Sequence, residues 1–151
     1  MDEIFMKEAL KEACKAYSIN EVPIGAVIVR NGEVVGRGHN QKETLKDATL
    51  HAEISAIKDA CKNLGGWRLP GCTMYVTLEP CSMCAGALVN ARVERLVVGT
   101  RDLKTGACGS VLNIVQMDKL NHHVAVEFGV LEDDCSNILK SFFEKLRNSK
   151  K

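Results

Sequence analysis

Only one of the 151 residues is tryptophan, two are tyrosine and three are proline, and charge of either sign is nearly cancelled: 20 Lys and Arg against 19 Asp and Glu leave a formal net charge of +1. That balance excludes a global field drawing the chain onto nucleic acid or an anionic membrane, so any polyanion must be held by local patches. No apolar run approaches the roughly eighteen residues a membrane span needs. The start Met1-Asp2-Glu3-Ile4-Phe5-Met6-Lys7-Glu8 lacks the basic-then-apolar order of a signal peptide. An even, dense cysteine framework is also missing. The seven cysteines, Cys14, Cys61, Cys72, Cys81, Cys84, Cys108 and Cys135, are odd in number and scattered, which argues against a secreted disulfide scaffold and for a reducing compartment. The expectation is a soluble cytoplasmic protein with no membrane association. Repeats, linkers and low-complexity tracts are absent apart from a basic tip, Lys150-Lys151. With 46% hydrophobic side chains, residues 1–151 can bury one core and are expected to form a single domain.

What is present is an alternation of helical and extended periods. Phe5, Met6, Ala9, Leu10, Ala13, Cys14 and Tyr17 recur at helical steps and predict a first helix ending near Ser18-Ile19-Asn20. Two extended runs, Ile24 to Arg30 and Glu33 to Gly38, flank Asn31-Gly32, the pair that suits a type I′ hairpin turn. A second helix carries Ile54, Ile57, Ala60, Cys61 and Leu64 and stops at Gly65-Gly66. Strands are predicted at Thr73 to Leu78, Arg95 to Gly99 and Val124 to Phe128. Helices are predicted from Pro80 through Asn90, briefly near Val111 to Gln116, and from Leu131 to Leu146. The fold class is α/β: a three-layer α/β/α sandwich around a mixed five-stranded sheet, mostly parallel with the antiparallel hairpin at one side.

Chemistry concentrates at two helix starts. Cys81 and Cys84 lie at i and i+3, so both sulfurs face one side of a helix. At a first turn, the helix dipole and free N–H groups favour thiolate, the form that ligates metal. A C-x-x-C pair alone also suits a zinc ribbon or a redox centre, but no second such pair exists here. His51, at the start of the preceding helix, could by itself be a polar cap; as a third ligand it would complete a His-Cys-Cys set. In an α/β sheet, helix starts that follow strands gather at one edge. Three protein ligands leave a fourth position for water, the mark of a catalytic zinc site. Glu53, beside that set and not needed as a ligand, suits a proton carrier. Cys14, Cys61, Cys72 and Cys135 fit apolar patterns and read as core residues. Cys108, His122 and His123 receive no role.

His51-Ala52-Glu53 followed by Pro80-Cys81-Ser82-Met83-Cys84 resembles the zinc signature of the cytidine deaminase superfamily. Val22-Pro23-Ile24-Gly25-Ala26-Val27, the Asn40 loop, Tyr75 to Cys81, Cys84-Ala85-Gly86-Ala87, Arg101 to Gly106, Gly109-Ser110 and Asn121-His122 extend the likeness over nearly the whole chain. By these segments the chain is identified as a member of the bacterial tRNA-specific adenosine deaminase family. The resemblance implies the cytidine deaminase-like fold, Zn2+ held by His51, Cys81 and Cys84, and conversion of adenosine to inosine at the wobble position of a tRNA anticodon. It implies that Glu53 carries a proton from water to adenine N1. Asn40 would bond the flipped base, and Ile24 and Val27 would wall the pocket. Asp102 and Lys104 would meet the anticodon loop, with Phe143 and Arg147 of the last helix against RNA. A homodimer acting on the anticodon stem-loop is implied as well.

The last helix departs from the family pattern: Glu144, Lys145 and Leu146 stand where an arginine-rich run can occur. Phe142 and Phe143 also admit core packing, preferred for at least one of them. A free-base or nucleoside deaminase acting on guanine or cytosine would share the same four site residues. From another class, a non-catalytic zinc-stabilised RNA-binding module would have no use for Glu53.

Overall fold

A computed structural model of the chain describes residues 1–149; the basic tip Lys150-Lys151 lies outside the described residues. Helix α1 (Asp2–Ser18) buries Met6, Ala9, Ala13 and Ala16 at three- and four-residue steps, the period that aligns one face of a helix. Strands β1 (Gly25–Arg30) and β2 (Glu33–His39) turn through Asn31 and Gly32 at φ 52° and 75°, the two positive values that a type I′ turn requires. Helix α2 (Ala52–Leu64) ends at left-handed Gly65. Strand β3 (Cys72–Leu78), helix α3 (Ser82–Asn90) and strand β4 (Arg95–Thr100) form one crossover unit. A long irregular segment leads to β5 (Ala125–Phe128) and α4 (Glu132–Ser149).

The sheet order is β2-β1-β3-β4-β5. β1 is antiparallel to both β2 and β3, whereas β3, β4 and β5 run parallel. The sheet is mixed, as expected, and more evenly so than a mostly parallel sheet with a hairpin at one side, because β1 adds a second antiparallel pairing, to β3, in the middle of the sheet. Side-chain alternation divides the interior. Ala26, Ile28, Met74, Val76, Leu96 and Val98 pack under α2 and α3. Val27, Val29, Tyr75 and Val97 pack under α1 and Cys135 of α4. Three layers result.

Two local expectations fail. Val111 to Gln116 forms no helix: Gly109 N–H donates to Leu112 O, Ile114 N–H to Ala107 O, and Cys108 bridges Asn113 in antiparallel fashion. The apolar spacing there serves instead to tuck Val115 into the core while Val111 and Leu112 stay exposed. Helix α3 does not begin at Pro80. Cys81 is its N-cap in extended conformation, and the Pro80 carbonyl accepts the Ala107 N–H at 2.8 Å.

Candidate active site

His51 and Cys81 occupy equivalent positions, the N-caps of α2 and α3, and neither side chain bonds a backbone N–H of its own helix. Both are free to turn off the helix end. The α2 start is pressed onto β2 so closely that a Cβ on Gly38 would lie 2.2 Å from the Ala52 carbonyl oxygen; only glycine allows that approach. Cys84, one turn into α3, is buried.

The three side chains meet. His51 Nδ1 lies 3.6 Å from Cys81 Sγ and 3.6 Å from Cys84 Sγ, and all three atoms fall within 4.8 Å of one another. Tetrahedral zinc, with bonds of about 2.0 Å to nitrogen and about 2.3 Å to sulfur, separates such atoms by roughly 3.6 Å. The donor set therefore fits a metal ion. Soft sulfur with imidazole suits zinc over magnesium or calcium. Among the described residues this is the one His, Cys and carboxylate cluster with ligand spacing.

The charges are arranged to match. The Cys84 thiol and the His51 ring stabilise the Cys81 thiolate, pulling its pKa down to about 3. The same thiolate, with burial, holds the Cys84 thiol well above its ordinary value, and it raises His51. Glu53, one residue into α2 and only 3% exposed, is pushed up to about 7 by burial. A carboxyl near neutrality beside a cluster that can hold a metal can both take and give a proton at physiological pH.

Above this floor opens a cavity of ≈ 490 Å³ lined by Ile24, Asn40, Asp102, Lys104 and Phe143, all expected from the sequence, and by Lys42, Leu103 and Leu139, which were not. Asn40 is buried and half engaged: its Nδ2 donates to Val22 O and its Oδ1 accepts the Lys42 N–H. Each amide atom retains capacity for one more partner. Asp102 accepts the Lys104 and Thr105 N–H groups and the Thr105 hydroxyl. Although burial opposes it, this bonding holds Asp102 below its ordinary value. Phe142 is 7% exposed and packs in the fold, whereas Phe143 is 41% exposed on the cavity wall. Arg147 does not reach this cavity. It lines an adjoining groove of ≈ 690 Å³ shared with Arg101, Lys104, Lys140 and Phe143.

Val27 is a correction. It is wholly buried under α1 with Met6 and Ala9, on the opposite face of the sheet, because alternate β1 residues point to opposite sides and the cavity lies beyond the α2 face. His122 and His123 each contact a backbone carbonyl, of Val93 and Met117, and stand apart from the cluster. Sequence reasoning missed two buried carboxylates that shape the loops around the cavity. Glu21 accepts the Glu43 and Thr44 N–H groups. Glu79 is bonded to Asp102, Cys108 and Ser110. An acidic residue wedged between the apolar run Tyr75 to Leu78 and Pro80-Cys81 was the available signal for Glu79.

The MafB19-like deaminase family matches residues 1–147. A curated relative, the tRNA-specific adenosine deaminase of Bacillus subtilis (strain 168), is 53% identical over 150 residues, 99% of this chain and 93% of that protein. The protein of the same description from Aquifex aeolicus (strain VF5) is 49% identical, with 97% of each chain covered. A solved structure from work on A-to-I editing by tRNA:A34 deaminases superimposes with TM-score 0.86 at 46% identity, covering 89% of this chain and 98% of that one. A guanine deaminase from Bacillus subtilis gives TM-score 0.64 at 31% identity, covering 97% and 93%.

Proposed function

This chain belongs to the tRNA-specific adenosine deaminase family, and on that premise we propose that it deaminates adenosine to inosine hydrolytically at the wobble position of a tRNA anticodon. The observation that carries the reading is Glu53, a buried carboxyl near neutrality beside the His51-Cys81-Cys84 cluster at the floor of a cavity ringed by Lys42, Arg101 and Lys104.

His51, Cys81 and Cys84 would hold Zn2+, which would supply Lewis acidity that makes the attacking water easier to deprotonate. Glu53 takes a proton from the attacking water and delivers it to adenine N1. The hydroxyl adds at C6, its remaining proton passes through Glu53 to the departing amine, the C6–N bond breaks as the C6 carbonyl forms, ammonia leaves, and inosine remains. Asn40 bonds the extruded base with its free donor and acceptor, against Ile24. An anticodon loop is already single-stranded, so extrusion costs less than from a duplex. Asp102 and Lys104 meet the neighbouring riboses and phosphates, Arg147 a more distant phosphate, and Phe143 presents an exposed ring for stacking.

The chain acts as one deaminase domain in the cytoplasm; no helix among the described residues is long and apolar enough to cross a membrane. It works as a homodimer, for which the exposed apolar side chains Leu45, Val111, Leu112 and Met117 offer cover.

The test is nucleoside analysis by mass spectrometry after incubating the zinc-loaded protein with an anticodon stem-loop bearing a wobble adenosine and, separately, with guanine, adenosine and cytidine. Inosine in the RNA alone is the expected result. Product from a free base or nucleoside alone overturns the substrate while keeping the site chemistry.

A further inference from the structure

The most densely bonded carboxylate near the site is not the catalytic one. Glu79 stands immediately after β3, 2% exposed, and its own N–H is tied to the Thr100 carbonyl at 2.9 Å. Its Oε1 accepts the Asp102 N–H at 3.2 Å and the Ser110 hydroxyl; its Oε2 accepts the N–H groups of Cys108 and Ser110 at 3.1 Å each. A carboxylate accepts at about four lone-pair positions, and here four donors supply them. All four come from one segment, Asp102 to Ser110. The following carbonyl, of Pro80, takes the Ala107 N–H from the same segment. Gly106 closes the contact, since a Cβ there would fall 2.4 Å from the Glu79 carboxyl carbon and 2.4 Å from the Asp102 carbonyl oxygen.

The two ends of this link do different work. Two residues beyond Glu79 is Cys81, at the metal-ligand cluster; the far side of the segment carries Asp102, Leu103 and Lys104 in the cavity wall. We propose that Glu79 is a positioning residue that sets the height and register of the 102–110 wall against the Cys81 helix start, and so determines how the RNA around the target base is bound. The inference deepens the deaminase reading and rests on it. Glu79 touches neither the base nor the metal ligands, so its effect belongs to binding more than to turnover. With the carboxylate gone, three N–H groups and a hydroxyl lose their partner, and the segment loosens while β3 and α3 stay packed.

The experiment compares wild type, Glu79→Gln, Glu79→Ala and Ser110→Ala as zinc-loaded proteins. Three quantities are read: zinc content, kcat and KM on the anticodon stem-loop, and hydrogen exchange by mass spectrometry over 101–110 and 82–90. The Gln variant keeps the shape and one accepting oxygen, so it should retain the fold and fall between wild type and Ala. Expected for Glu79→Ala are a KM raised about tenfold, kcat within about threefold, unchanged zinc, and exchange over 101–110 faster by about tenfold with 82–90 unmoved. Ser110→Ala, which removes one donor, should give a smaller version of the same pattern. Loss of kcat at unchanged KM, loss of zinc, or a Gln variant equal to wild type in both KM and exchange would overturn the proposal. A wild-type protein that makes no inosine overturns the deaminase reading instead, and the exchange pattern then decides whether Glu79 holds the wall.

Discussion

Glu53 and Glu79 are both buried beside the candidate site, 3% and 2% exposed, and their surroundings could hardly differ more. Glu53 entered the interior with few donors, and burial drives its pKa to about 7. Glu79 is met by three backbone N–H groups and a hydroxyl. Glu21, 1% exposed, shows what donors do to the titration of a buried carboxyl: burial acts to raise its pKa, yet the N–H groups of Thr44 and Glu43 bring it below the ordinary value. Burial alone therefore does not make a carboxylate reactive; the supply of donors decides whether it is held as an anchor or left poised to exchange a proton.

The sharpest way to break the comparison is Glu53→Gln. Turnover should fall by roughly three orders of magnitude, within the usual range for general acid–base catalysis, while zinc content and RNA affinity hold. Single-turnover assays with metal analysis check this, and substantial residual activity would place the proton carrier elsewhere.

Floor and wall can next be disturbed separately through their tight backbone approaches. Gly38→Ala forces a methyl onto the Ala52 carbonyl. It should cost about 2 kcal/mol and weaken zinc binding, because His51 caps the displaced helix. Gly106→Ala should leave zinc affinity alone and raise KM. Denaturant melts and zinc titration against a chelator separate the two.

A smaller effect concerns the wall's cations. If about three phosphates are contacted, raising salt from 50 to 200 mM should weaken RNA binding roughly ten- to twentyfold, and Lys104→Ala should reduce the logarithmic slope by about 0.7. Filter binding measures both; a flat salt response removes Lys104 and Arg147 from the interface.

Smallest is a stability effect at Glu21. Its folded pKa is depressed, so its contribution is complete above the unfolded value and is lost as pH falls through the folded one. Wild type should therefore melt above Glu21→Gln at pH 7, and the gap should close toward pH 3.

Much of this was legible in the chain. The proposed metal ligands and Glu53 lie in two short motifs whose spacing brings their side chains together, and the hairpin turn is a two-residue signal. The anchors were not. Glu79 reaches partners 23 to 31 residues away and Glu21 partners 22 and 23 away, and such bonds leave no periodic trace. Val27 was misplaced for a related reason: its apolar character marks it as buried without saying on which face.

Local order is thus what the amino-acid sequence determined by itself outside 111–116: which of the regular segments are helical and which extended, where the hairpin turns, and that two helix starts carry His51, Glu53, Cys81 and Cys84. These depend on contacts within a few residues, where backbone geometry leaves few choices. The tertiary structure alone decided that the sheet is evenly mixed, that 111–116 forms a hydrogen-bonded loop and not a helix, that Val27 faces away from the cavity, and that Glu79 anchors while Glu53 is poised. Each of these depends on which distant N–H group or side chain arrives beside a residue, and only the packed fold brings them together.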